Sequence, residues 1–260
     1  MRDSELICKK MRKAILEMTK STGSTGAHIG GAMSLVEILY SIYFDNFDYK
    51  NDHIILSKGH GIMALYAAFN QLGLLNDDEL SSFKKNETRL YAHPSLGTDL
   101  PIEFASGSLG QGLSLGVGEA LTDKMNGSSE KTIVILGDGE CDEGQIWEAA
   151  MSASHFSLNN LIVVVDCNRI QYDGQTDSVM KLEPFDKKWE SFGWKVLSVD
   201  GHSISELNNA FSSVDTSKPL LVLAYTIKGK GVSFMEGDPL WHNHTLSAEQ
   251  YDLALKELDL

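Results

Sequence analysis

Basic residues are scarce in this chain: 22 lysines and arginines stand against 36 aspartates and glutamates, a formal net charge of −14. Nucleic acids and anionic membranes are held by concentrated Lys and Arg, so the deficit excludes both as partners. An anionic small molecule is not excluded, because one Mg²⁺ with a few local donors inverts the field inside a single cleft. Apolar runs are short. None approaches the ~20 residues needed to cross a bilayer, and Asp3, Glu5, Lys9 and Lys10 break up the amino terminus where a signal peptide carries its hydrophobic region. A cytoplasmic protein is expected. The three cysteines, Cys8, Cys141 and Cys167, are an odd number without metal-like spacing, so they are expected as reduced thiols, not as a disulfide framework. No Pro-rich linker, low-complexity tract or internal repeat divides the chain, and residues 1–260 read as a single α/β domain.

What is present is an alternation of buried-strand runs and helical patterns. The runs are His53 to Leu56, Thr132 to Leu136, Leu161 to Asp166, Lys195 to Val199 and Leu220 to Tyr225. Helical spacing covers Glu5 to Lys20, Ser34 to Phe44, Gly61 to Leu72, Asp77 to Phe83, Gly112 to Lys124, Gln145 to His155, Ile204 to Ser212 and Ser247 to Leu258. Asp77, Ser203 and Ser247 have N-cap chemistry. The pattern predicts a doubly wound, mainly parallel sheet with helices on both faces.

In such a sheet, residues just past the carboxyl ends of the strands meet at one edge. GDG closes the second run and DCNRI the third, so Asp138 and Asn168 converge there, with His60 and Lys228 following the first and last runs. A carboxylate and an amide oxygen leave most of an octahedral shell open, which suits Mg²⁺ completed by water and ligand phosphates.

GDG followed about thirty residues later by Asn at the next strand end resembles the thiamine diphosphate motif of transketolases. AHIGG at Ala27 to Gly31, LSKGH at Leu56 to His60, AHP at Ala92 to Pro94, SGSLGQG at Ser106 to Gly112, GDGECDEGQIWEA at Gly137 to Ala149, DGHS at Asp200 to Ser203 and KGKG with WH between Lys228 and His242 occur in transketolase order. The resemblance covers nearly the whole chain but only the amino-terminal third or so of a full-length transketolase.

The resemblance implies thiamine diphosphate and Mg²⁺, with Ca²⁺ or Mn²⁺ as substitutes, and adds the main-chain oxygen of Ile170 to Asp138 and Asn168 as metal ligand. Gly139 and Glu140 are implied beside the diphosphate, and Gly107, Ser108 and Leu109 beside the aminopyrimidine and thiazolium. The glycines from Gly107 to Gly118 read two ways, as backbone wrapping a heterocycle or as close helix packing on the sheet. His28, His60, His93 and His242 fall where the family lines its substrate channel and contacts cofactor or sugar, with His60 and His242 implied at the cofactor, and imidazole donates or accepts a proton near neutral pH. Lys228, more than Lys58, is a candidate to offset anionic charge; Lys230 reads as solvated. His202 reads as structural, while His53 and His155 have no matching role and His244 is a less certain neighbour of His242. Glu143 and Glu148 match glutamates of a proton-relaying network at the family's dimer interface.

Ile29 replaces a proline found in many transketolases, which predicts a less rigid loop after His28. The family also uses a glutamate from a second, pyrimidine-binding domain to activate the cofactor, and nothing here substitutes for it. The implied protein is therefore the amino-terminal subunit of a split transketolase, passing a glycolaldehyde unit from a ketose to an aldose together with a separate carboxyl-terminal subunit in an α2β2 assembly. Two other readings stand beside it: a subunit of another thiamine diphosphate enzyme, such as a 2-oxo acid dehydrogenase or a thiamine-dependent ligase or lyase, which shares GDG and the distant Asn, and a non-catalytic cofactor-binding module. LSKGH, SGSLGQG and WH weigh against the dehydrogenase.

Overall fold

Runs of Ile, Val and Leu too apolar to face water on either side need cover on both faces, and the chain supplies it with helices. The computed structural model describes residues 3–214 and 217–259. In chain order its strands are β1 (His53–Leu56), β2 (Thr132–Gly137), β3 (Leu161–Cys167), the short pair β4 (Ile170–Gln171) and β5 (Gly174–Gln175), β6 (Lys195–Asp200) and β7 (Leu220–Tyr225). The large sheet has the order β1-β2-β3-β7-β6 and every pairing in it is parallel, whereas β4 and β5 form a separate antiparallel hairpin.

The helices are α1 (Ser4–Ser21), α2 (Ile29–Met33), α3 (Val36–Tyr40), α4 (Ile62–Gln71), α5 (Asp77–Leu80), α6 (Gln111–Asn126), α7 (Gly144–His155), α8 (Thr176–Val179), α9 (Phe185–Ser191), α10 (Ile204–Phe211) and α11 (Ala248–Glu257). Side chains alternate across the strands, so the sheet carries two cores. Ile54, Ile133, Ile135, Ile162 and Val164 pack with residues of α1, α3, α4 and α10, while Ile55, Val134, Leu136, Val163 and Val165 pack with α6, α7 and α9. Among the described residues no helix is long and apolar enough to cross a membrane.

The five strands and the parallel sheet match the sequence expectation to within a residue or two. Three local features differ. The helix expected from Ser34 to Phe44 is α3 followed by a wider turn over Ser41–Asn46, where Asn46 Nδ2 donates to the Ser41 carbonyl at 2.8 Å and competes with regular helix bonding. Asn76 caps the fifth helix through a capping box, and Asp77 lies in its first turn. The β4–β5 hairpin, α2, α8 and α9 were outside the expectation, being too short for a hydrophobic period to register.

Candidate active site

The carboxyl ends of β1, β2, β3 and β7 open on one edge of the sheet, where a cavity of about 330 Å³ is lined by Leu109, Asp138, Gly139, Asn168, Ile170 and Lys228, among others. Glu140, Glu143, His60 and His242 also reach it. His28 and His93 join through ring contacts: His28 lies 5.7 Å from His60, 5.8 Å from His93 and 5.4 Å from His242, centroid to centroid. The four histidines, drawn from across most of the chain, are one cluster. Gly107 and Ser108 are exposed just upstream of Leu109 and outside the cavity wall, and Glu148 is exposed on α7.

Asp138 follows β2 directly and is only 6 % exposed. Its carboxylate accepts from the backbone N–H groups of Gly139 at 2.8 Å and Arg169 at 2.5 Å, and the second contact accompanies a left-handed Arg169, φ 63°. Burial, reinforced by the neighbouring Asp166 charge, lifts the Asp138 pKa to about 6. Asn168 Oδ1 accepts from Ile170 N–H at 3.1 Å, and the Ile170 carbonyl accepts from Lys228 Nζ at 2.6 Å. A buried carboxylate beside an amide oxygen and a carbonyl already holding a cationic head forms an all-oxygen donor set suited to a hard divalent cation. No cluster of three or more His, Cys, Asp or Glu residues fit for a metal occurs among the described residues; the present set contains one acidic member and needs phosphate oxygens or water to fill its shell. The residues fit the group.

Both lysines are buried, not solubilising: Lys58 is 1 % and Lys228 2 % exposed. Lys228 Nζ also meets His242 Nδ1 at 2.9 Å. Burial and then the Lys58 charge bring the Lys228 pKa down to about 8. The histidines are pushed the same way. Burial first, then neighbouring cations, lowers His28 to about 4 and His242 to about 3, and His60 falls well below its ordinary value. The cluster is therefore made of neutral imidazoles at pH 7.

Glu140 lines the wall, yet its carboxylate is engaged by three protein donors: Ser57 Oγ at 2.5 Å, Gly110 N–H at 2.9 Å and Gly137 N–H at 3.0 Å. It ties the loop before α6 to the ends of β1 and β2. The glycine run serves both readings. A Cβ on Gly116 would stand 2.4 Å from Val134 and one on Gly112 2.5 Å from Ser57, which is packing, whereas Gly107 faces open space. His202 bridges Glu37, at 2.9 Å, and the Ile227 N–H, also at 2.9 Å, away from the cavity.

Sequence reasoning missed Asp166, Ser57 and Tyr172. Tyr172, exposed on the hairpin loop, sets its ring edge-on to His242 at 5.3 Å; nothing in its local pattern marks it.

An open parallel sheet with an anion-and-cation pocket at its carboxyl edge defines a phosphate-cofactor domain of the α/β class. Residues 5–259 match the family model described as transketolase, thiamine diphosphate binding domain. The chain belongs to the transketolase family. It is 38% identical to one of the subunits of the apulose-4-phosphate transketolase of Phocaeicola vulgatus, over 98% of this chain and 93% of that one. It is 40% identical to a 6-deoxy-6-sulfo-D-fructose transketolase subunit of a Clostridium species, over 96% and 94%. The fold superposes on a Pichia stipitis transketolase mutant with a TM-score of 0.91 at 26% identity, covering 99% of this chain and 41% of that one. The chain thus spans about two-fifths of the solved transketolase.

Proposed function

We propose that this chain is the amino-terminal subunit of a split transketolase that moves a two-carbon ketol unit from an anionic ketose to an aldose. The observation that carries the reading is the meeting of Asp138, Asn168 and Ile170 in one cavity with His60 and His242, two of the four clustered histidines, in a chain that matches relatives named as transketolase subunits almost end to end. Asp138, Asn168 and Ile170 would hold Mg²⁺, and Lys228 and the backbone around Gly139 would face the diphosphate. Thiamine diphosphate, when bound, supplies the nucleophilic carbon and the electron sink that let the bond between C2 and C3 of the ketose break.

The chain's own residues do the rest. Leu109 presents an apolar wall. His28, His60, His93 and His242, neutral and half-buried, can take the hydroxyl proton released as the aldose leaves and return it to the acceptor. Glu143 and Glu148, both exposed on the α7 side of the site, would be covered by the partner subunit in an α2β2 assembly. Both relatives carry anionic ketoses in their names, which supports an anionic substrate here.

The test is ketol transfer with the chain alone and with the partner co-expressed. Activity is expected only for the pair, and equal activity of the lone chain would refute the division of labour. Release of CO₂ from 2-oxo acids without ketose cleavage would favour a dehydrogenase subunit instead.

A further inference from the structure

Asp166 is the last buried carboxylate of β3 and has no solvent exposure. Four side chains donate to it. Ser34 Oγ reaches it at 2.7 Å, Lys58 Nζ at 2.5 Å and Asn168 Nδ2 at 3.0 Å, and Thr226 Oγ1 completes the set. Each donor belongs to a segment that bears a site residue. Ser34 follows the α2 segment that begins at His28, Lys58 lies two residues before His60, Asn168 is the amide of the donor set, and Thr226 lies two residues before Lys228. Asn168 Nδ2, Lys58 Nζ and Ser34 Oγ share one oxygen, Oδ2, and Thr226 takes the other.

An asparagine amide has two ends with opposite hydrogen-bonding character, and a metal ligand needs the oxygen end. A fixed acceptor behind the nitrogen makes the flipped rotamer place Oδ1 against a carboxylate, which is repulsive. We propose that Asp166 is a positioning residue of the cofactor site: it locks Asn168 with its oxygen toward the cation and registers the loops of β1, β3 and β7 on a single anion. The buried Lys58 ammonium pairs directly with this carboxylate, at 2.5 Å. The inference rests on the proposed cation site and adds a residue outside its ligand set. Partners behind metal ligands fix ligand orientation, and their loss costs about 10- to 100-fold in metal affinity.

Two variants separate orientation from charge. Asp166→Asn removes the charge and keeps an oxygen acceptor for Asn168 and Lys58, while Asp166→Leu removes both. Mn²⁺ binding to the full chain, with thiamine diphosphate present, is followed by electron paramagnetic resonance, and exchange of the Asn168 side-chain amide protons by NMR of the metal-free chain. The wild-type chain and Asp166→Asn are expected to keep a slowly exchanging Asn168 amide proton. Asp166→Leu is expected to lose it and to bind Mn²⁺ about 10- to 100-fold more weakly than wild type, with Asp166→Asn in between. The proposal is overturned if folded Asp166→Leu binds Mn²⁺ like wild type, if Asp166→Asn falls as far as Asp166→Leu, or if the wild-type Asn168 amide exchanges like a surface asparagine. Where Asp166→Leu fails to fold, the amide exchange of wild type and Asp166→Asn decides. Absence of Mn²⁺ binding to wild type counts against the cofactor site itself, and the exchange result still rules on the Asp166 contact.

Discussion

Lys228 Nζ sits 2.9 Å from His242 Nδ1 while donating to the Ile170 carbonyl at 2.6 Å. An ammonium has only donors, so Nδ1 must accept and the His242 proton resides on Nε2.

This arrangement fixes how His242 titrates. Burial first, and then Lys228, hold its pKa at about 3. Its imidazole NMR signals are expected to show the neutral Nε2–H tautomer, unchanged from pH 7 to pH 5, the range in which Lys228 stays an ammonium. Replacing Lys228 with Met removes the second cause and leaves the first, so the midpoint should climb only part of the way toward the unperturbed value of about 6.5. A wild-type midpoint near that value would contradict the contact.

Acid should destabilise the chain through the same cluster. The folded state holds His28, His60 and His242 neutral, whereas the unfolded chain protonates them below about pH 6.5. The unfolded state thus binds more protons in the window from about 6.5 down toward 4, and stability falls with pH there. Replacing His28 with Asn should flatten this dependence in urea denaturation at pH 6.5 and pH 4.5; an unchanged slope would show that His28 is already charged in the fold.

Asp138 acts with the opposite sign. Its folded pKa, about 6, stands above the unfolded value, so its contribution is present at low pH and is lost as pH rises toward and through 6. A divalent cation removes that penalty by binding the carboxylate, and binding must displace the proton at lower pH. Mg²⁺ with thiamine diphosphate should therefore raise the melting temperature at pH 7.5 and have much less effect at pH 5. Replacing Asp138 with Asn should abolish the effect at both pH values, with a loss of metal affinity beyond the roughly 10- to 100-fold typical of losing an outer partner.

Much of this site is legible in the chain because Asp138 and Asn168 close consecutive apolar runs, and strand polarity alone then brings them together. Asp166 is not legible in that way. It sits at the end of the apolar run that forms β3, and the partners that define it, Lys58 and Ser34, are 108 and 132 residues away in sequence. The burial of Lys58 was hidden for the same reason, since a lysine reads as solvated until its counter-ion is placed. Asn46 and the wider turn before it were missed because a side-chain bond to Ser41 outcompeted the helix that the apolar spacing implied.

The glycines of α6 show which helix faces carry meaning. A Cβ on Gly116 would meet Val134 at 2.4 Å, while Gly118, two residues on, has nothing within 4 Å. Gly116→Ala is expected to destabilise the lone chain by about 1–3 kcal/mol through overpacking. Gly118→Ala, in the middle of the same helix, is expected to stabilise it by roughly 0.5–1 kcal/mol through reduced backbone entropy in the unfolded state. Both are read from urea denaturation, and equal signs would show that α6 does not rest on β2 through Gly116.

Glu143 and Glu148 distinguish a surface that awaits a partner from one that merely faces water. Both are exposed, and Glu143 lies with its Cβ beside Gly110 and lines the cavity. The Glu143 charge at the edge of an anionic cofactor site weakens its field, so a wholly solvent-facing role predicts that Glu143→Lys improves, and Glu148→Lys leaves unchanged, the binding of thiamine diphosphate with Mg²⁺. An interface role predicts the reverse for assembly: the lone double variant keeps its melting temperature within a degree or two, because surface substitutions cost about 0.5 kcal/mol or less, yet it fails to co-elute with the co-expressed partner subunit. Sedimentation of the pair, wild type against the double variant, separates the two, and an intact heteromer with both lysines in place would remove the glutamates from the interface.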